Sequence, residues 1–159
     1  LLQAVLERWE AQGTQDIIRL IEQVPDTRQQ AIELMRIVSR SVSDGRAPPS
    51  PMVRLQYALW CATQDPLVGP VVERVTAARV GFLAQVLRQA GLGEALAAQR
   101  ATLGYASYVG LVVLRATEGH SDAAGARRDD LLEAYLSMLL APAPSPATPK
   151  AAARRRTRR

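Results

Sequence analysis

One cysteine, one histidine and one phenylalanine occur in 159 residues, and each scarcity removes a class of function. Cys61 stands alone, so the chain can form no internal disulfide and no cluster of soft metal ligands; it is expected as a small buried residue. His120 sits in a Gly-His-Ser turn, which leaves a catalytic triad or a histidine metal site nothing to build with. Gly91-Leu92-Gly93 lacks the strand, spacing and lysine of a phosphate-binding loop. Asp129 and Asp130 are adjacent on a helix and diverge in direction, which suits a solvated face better than paired acid and base work. No catalytic residue, metal or cofactor is implied, and the chain reads as a non-enzyme. No apolar run approaches the roughly 20 residues that cross a bilayer, and the start does not resemble a signal peptide. A cytoplasmic protein without a membrane partner is expected.

Acidic residues are missing from one end. Between Pro142 and Arg159 lie Lys150, Arg154, Arg155, Arg156, Arg158 and Arg159 and no acid. The whole chain holds 20 basic and 15 acidic residues, so setting those six aside leaves 14 against 15, a net charge of −1. The body, residues 1–141, is nearly neutral and the tail carries the excess. Alanine, proline, threonine and arginine offer little to bury, which predicts a disordered basic tail over residues 142–159. Such a tail is either a solvated appendage or an arm that contacts DNA phosphates.

What is abundant is helical periodicity. Apolar and small residues make up 48% of the chain and charged residues 22%, an ordinary globular balance. Leu1, Leu2, Val5, Leu6 and Trp9 repeat at helical spacing with no cap before them, so the chain is expected to begin in mid-helix. Gly13 and Thr14 interrupt that pattern, and Ile17, Ile18, Ile21 and Val24 resume it up to Pro25. Asp26 followed by Gln29 is a capping signature for a helix from Asp26 to about Ser43. Ser50 before Pro51 and Asp65 before Pro66 place an oxygen-bearing cap ahead of a proline at the first helical position. The second of these helices runs to about Ala90 and Gly91 stops it. Two more follow, Glu94 to Thr117 and Ser121 to about Ala141, where Pro142 and Pro144 forbid continuation. No segment alternates like a strand. The fold class is all-α, with about six helices.

From Ala101 to Leu114 the fifth of these segments is small or apolar on nearly every face, and a helix of that kind is expected to be covered all round. A second subunit is the simplest cover. Leu103, Ala106, Gly110 and Val113 on this helix, with Leu132, Tyr135, Leu136 and Leu139 on the last, are the predicted interface of a homodimer. Two helices from each subunit would form a four-helix bundle across a two-fold axis. The alternative is that both helices form the core of a monomer.

The large adaptable side chains Met35, Met52, Tyr57, Trp60, Gln64, Phe82, Tyr105 and Tyr108 fall on helices expected around the domain centre. Tyr105 and Tyr108 are three apart and share a face. Gathered aromatics with polar tips mark either an apolar ligand cavity or ordinary core packing. A lipophilic or aromatic small molecule is the expected ligand.

Three segments carry a family resemblance. They are Leu1-Leu2-Gln3-Ala4-Val5-Leu6-Glu7-Arg8-Trp9-Glu10, the run from Tyr57-Ala58-Leu59-Trp60 through Asp65-Pro66-Leu67-Val68, and the run from Ala98-Gln99-Arg100 through Tyr105-Ala106-Ser107-Tyr108-Val109-Gly110. In this order and spacing, residues 1–141 resemble the C-terminal ligand-binding and dimerisation domain of TetR-family transcriptional repressors. The resemblance implies that the first helix follows a DNA-reading helix-turn-helix expected before Leu1. It implies two reading heads on a palindromic operator, released when a small effector binds. The competing reading is an all-α homodimeric scaffold or adaptor without a ligand.

Overall fold

A computed structural model describes residues 1–42, 50–117 and 128–141; the side chains of 39–42, 115, 117, 128, 129, 131 and 132 fall outside that description, as do residues 43–49, the Gly-His-Ser turn around His120 and the basic tail. Every regular element among the described residues is a helix, with no strand among them. In order they form α1 (Leu2–Glu10), a π-helical turn (Ala11–Gln15), α2 (Asp16–Glu22), α3 (Thr27–Val42), α4 (Pro51–Cys61), α5 (Val68–Gln89), α6 (Glu94–Thr117) and α7 (Arg128–Leu140). None is long and apolar enough to cross a membrane.

The helix ends follow local chemistry. The Asp26 carboxylate accepts from the Gln29 backbone N–H at 2.6 Å, while the Gln29 amide donates forward to Glu33 at 2.9 Å instead of closing the reciprocal half of the box. Ser50 Oγ accepts from the Val53 N–H at 3.3 Å ahead of Pro51. Asp65 Oδ1 accepts from Leu67 and Val68 N–H at 2.8 and 3.2 Å, so α5 begins two residues later than Pro66. Gly91 has φ +101°. Its N–H reaches Arg88 O at 2.9 Å and the Leu92 N–H reaches Leu87 O at 3.1 Å, the paired bonds that close a helix through a left-handed residue.

Gly13 and Thr14 do not break the first helix. The chain passes them as one wide π turn and continues to Glu22. Such turns widen a helix by one residue and free backbone groups for other partners.

Helices α5 and α6 make the most extensive packing in the molecule. One core gathers Ile21, Ala31, Leu34, Met35, Phe82, Leu83, Val86, Leu87, Ala97, Ala101 and Leu139 from five helices. A second joins Leu6 and Trp9 of α1 to Leu59 of α4 and Val68, Val72 and Val75 of α5. Glu10 and Arg74 add a two-pronged ion pair at 2.8 and 2.6 Å that fastens α1 to α5. Arg74 lies beside Glu10 and holds its carboxyl below the usual range.

One expectation needs correction: Cys61 is exposed, because it occupies the last turn of α4 where the apolar stripe has run out. The helix expected from Pro66 begins at Val68, which leaves Leu67 61% exposed ahead of it. Within the single chain α6 is covered on one side only. Ala97, Ala101, Gly104, Tyr108 and Val112 face inward, whereas Leu103, Ala106, Gly110 and Leu114 face outward, with Leu103 at 62% exposure. The exposed residues of α6 between Ala98 and Leu114 include no charge.

Candidate functional site

A cavity of about 70 Å³, partly open to solvent, lies where the middle of the π turn, α2, α3, α5, α6 and α7 converge. Its apolar walls are Ile17, Ile18, Leu34, Met35, Val38, Phe82 and Leu83. Three tyrosines, Tyr105, Tyr108 and Tyr135, and one cation, Arg79, complete it with Gly13 and Thr14.

The tyrosine hydroxyls are engaged with their own chain. Tyr108 donates to Gln56 Oε1 at 2.9 Å in a buried pair. Tyr135 donates to the Gly104 carbonyl oxygen; Gly104 leaves room there, since a Cβ would meet Leu139 Cδ2 at 2.8 Å, the Tyr135 hydroxyl at 3.2 Å and Leu83 Cδ2 at 3.3 Å. Tyr105 lies 3.4 Å from Thr76 Oγ1. Burial pushes the phenols of Tyr108 and Tyr135 up, and the Arg79 charge pulls Tyr108 part of the way back. The rings of Tyr105 and Tyr108 sit 6.0 Å apart, and Trp60 stands edge-on to Tyr108 at 6.2 Å on the far side.

Arg79 is the polar centre. Its Nε donates to Thr14 Oγ1 and its Nη2 to the Gly13 carbonyl oxygen, each at 3.0 Å. The guanidinium also lies over the Trp9 ring, 5.2 Å from the centroid, a cation–π arrangement. Among the described residues no carboxylate pairs with it. Its position could have been found from sequence. It falls four residues after Val75 and three before Phe82, so a charge stands inside the apolar stripe of α5, where only a partner or a function would keep it.

Of the side chains read from sequence as ligand-binding, the structure brings Met35, Phe82, Tyr105 and Tyr108 together around the cavity. Tyr57 and Trp60 lie behind Tyr108 in a separate cluster with Val53 and Val112. Met52 and Gln64 are exposed and line nothing; a side chain at the first turn of α4 or beyond its last points away from the centre. Sequence reasoning missed Arg79, Thr14, Gly13 and Tyr135.

The expected dimer residues divide likewise. Leu103, Ala106 and Gly110 are exposed and Val113 is half-buried on α6. On α7, Leu139 is 1% exposed within the single chain, Tyr135 lines the cavity, and Leu136 packs on the main core. Tyr135 and Leu139 thus have contacts inside the chain, where α7 docks on α3 and α6 through the face that carries them. The Leu132 side chain lies outside the described residues.

Among the described residues no group of histidine, cysteine, aspartate or glutamate could hold a metal. In comparison with known proteins, no family model, no curated protein and no solved structure matches the chain.

Proposed function

We propose that this chain is the effector-sensing and dimerisation domain of a TetR-like DNA-binding transcriptional regulator, which releases operator DNA when a small molecule binds. The observation that carries the reading is that Gly13 and Thr14 belong both to the cavity wall and to the turn from which α1 emerges. An occupant therefore touches the element that, by the resemblance, leads to the DNA-reading head. Arg79 links the two, gripping the turn with two hydrogen bonds while facing the cavity. Coupling of about 1 to 3 kcal/mol is typical between such sites, and the loss or gain of a single hydrogen bond to a charged group, about 1.5–3 kcal/mol, is enough to supply it.

The dimer part of the proposal rests on α6. Its outward face presents Leu103, Ala106, Gly110 and Leu114 without an intervening charge, and nothing lies within 4 Å of a Cβ built on Gly110. Small residues let a second backbone approach, and a two-fold axis would bury the same patch on both subunits. Recognition of operator DNA belongs to a helix-turn-helix outside this chain.

A second reading has one observation in its favour. The cavity is about half the roughly 150 Å³ that admits benzene into an apolar site, as expected of a packing defect in an all-α homodimeric scaffold. Thermal denaturation with single-ring and short branched compounds separates the two. A sensor gains stability with some of them, about 2.7 kcal/mol at a hundredfold excess over Kd. A scaffold gains none, and that result would remove the sensing role.

A further inference from the structure

The cavity combines apolar walls with a single positive charge that has no counter-ion among the described residues. A guanidinium carries five N–H donors. Nε and one hydrogen of Nη2 are used along one edge, on Thr14 Oγ1 and the Gly13 carbonyl. The Nη1 and Nη2 hydrogens along the adjoining edge make no hydrogen bond among the described residues. That edge is the fork that accepts a carboxylate through two parallel bonds. Two of the three tyrosines do not compete for the role of anion donor, since Tyr108 and Tyr135 donate to Gln56 and Gly104; Tyr105, 3.4 Å from Thr76 Oγ1, carries no charge to match that of the guanidinium. One fork and no further cation suit a single negative charge and leave a phosphate dianion short of donors. The rest of the lining is aliphatic or aromatic, so the remainder of the occupant is apolar. Met35, with its flexible thioether chain, is the wall best able to give way to a ring or a branched chain.

We infer that the ligand of this cavity is a small apolar monocarboxylic acid, its carboxylate held by Arg79 and its hydrocarbon part lodged among Met35, Phe82, Tyr105 and Tyr135. The inference rests on the sensing role proposed above and names the chemical class of the effector. It also supplies a route for the signal. A carboxylate on Arg79 shares the guanidinium with Gly13 and Thr14, so occupancy alters the grip on the π turn.

Isothermal titration calorimetry of the whole chain with matched pairs, isovalerate against isovaleramide and benzoate against benzamide, tests it. Each acid should bind roughly tenfold or more tightly than its amide, the size expected of charge-assisted hydrogen bonds. Arg79→Gln should abolish that preference, and Arg88→Gln, at an exposed arginine paired with Glu94, should preserve it. Amides that bind as tightly as acids, or an acid preference that survives Arg79→Gln, would overturn the carboxylate assignment and leave the sensing role standing. If phenyl phosphate outcompetes benzoate, the monocarboxylate class is wrong. Failure of acids and amides alike to bind would overturn both the assignment and the role. Circular dichroism checks that Arg79→Gln is folded, and the comparison on the unaltered protein stands without that variant.

Discussion

Arg79 covers the face of Trp9 while holding the carbonyl of Gly13, four residues further along the same helix. The indole is 1% exposed and its Nε1–H is buried with no hydrogen-bond partner, so the cation above the ring is the main polar contact this side chain receives. Replacing Arg79 with glutamine removes the cation–π attraction and weakens both hydrogen bonds to the π turn. A loss of about 1–3 kcal/mol in stability is expected, with a shift in Trp9 fluorescence. Urea denaturation followed by tryptophan emission measures both, and an unchanged midpoint would show that the contacts are incidental.

Gly104 and Gly110 lie six residues apart on α6 and should respond oppositely to alanine. At Gly104 the new methyl group would press on Leu139 and Leu83 and crowd the Tyr135 hydroxyl, overpacking that costs about 1–3 kcal/mol. At Gly110 it meets nothing within the chain, so in the monomer better helix propensity should add about 0.5–1 kcal/mol, whereas a loss in the dimer would mark a second backbone packed against that position. Thermal melts of the two variants decide the matter.

Leu103→Glu places a charge at the centre of the uncharged α6 face. The side chain is 62% exposed, so the monomer fold should survive with a helical spectrum like that of the parent. Sedimentation velocity should show the parent as a dimer and the variant as a monomer. A parent that is monomeric at micromolar concentration would remove the dimer from the proposal.

Stability should fall at high pH. Burial raises the phenols of Tyr135 and Tyr108 above their ordinary value of 10.0, so folding favours their protonated forms. That contribution is complete below pH 10 and is lost as the pH climbs from there towards the folded-state values. Tyr135→Phe should flatten the alkaline limb of a pH–stability curve, even if it lowers the plateau. At the acid end, Arg74 lowers the Glu10 carboxyl below 4.5, which adds stability above that value that fades as the pH drops further. The pair is largely solvent-exposed, so the acid effect should be small.

The helix ends were legible in the sequence because capping is chemistry between neighbours. Asp26 and Gln29, Ser50 and Val53, and Gly91 with Arg88 all act within three residues. The cavity was legible in part, since residue type and helical phase pointed to Met35, Phe82, Tyr105 and Tyr108. Of its polar centre only the anomaly was legible, a charge inside the apolar stripe of α5; the partners of that charge were not. Arg79 and Gly13 are separated by 66 positions, and no local pattern announces a contact of that kind. Met52 and Gln64 were chosen for their chemistry alone, and a helix turns half of its chemically suitable residues away from any given centre. Tyr135 was read as facing a partner because its helix is apolar on a broad arc; which part of that arc is used inside the chain depends on where α3 and α6 stand.

The π turn has a consequence for the lineage of this chain. It accommodates one residue beyond what a regular spiral needs while the flanking helix keeps its bearing, so losing a single position from Ala11–Gln15 would let the coil close to ordinary pitch with Trp9 and Glu10 still turned towards α5. A loss from Leu2–Glu10 has no such slack and would swing everything ahead of it by about 100°. Length variation in this stretch is therefore easier to absorb at the wide turn than on either side of it.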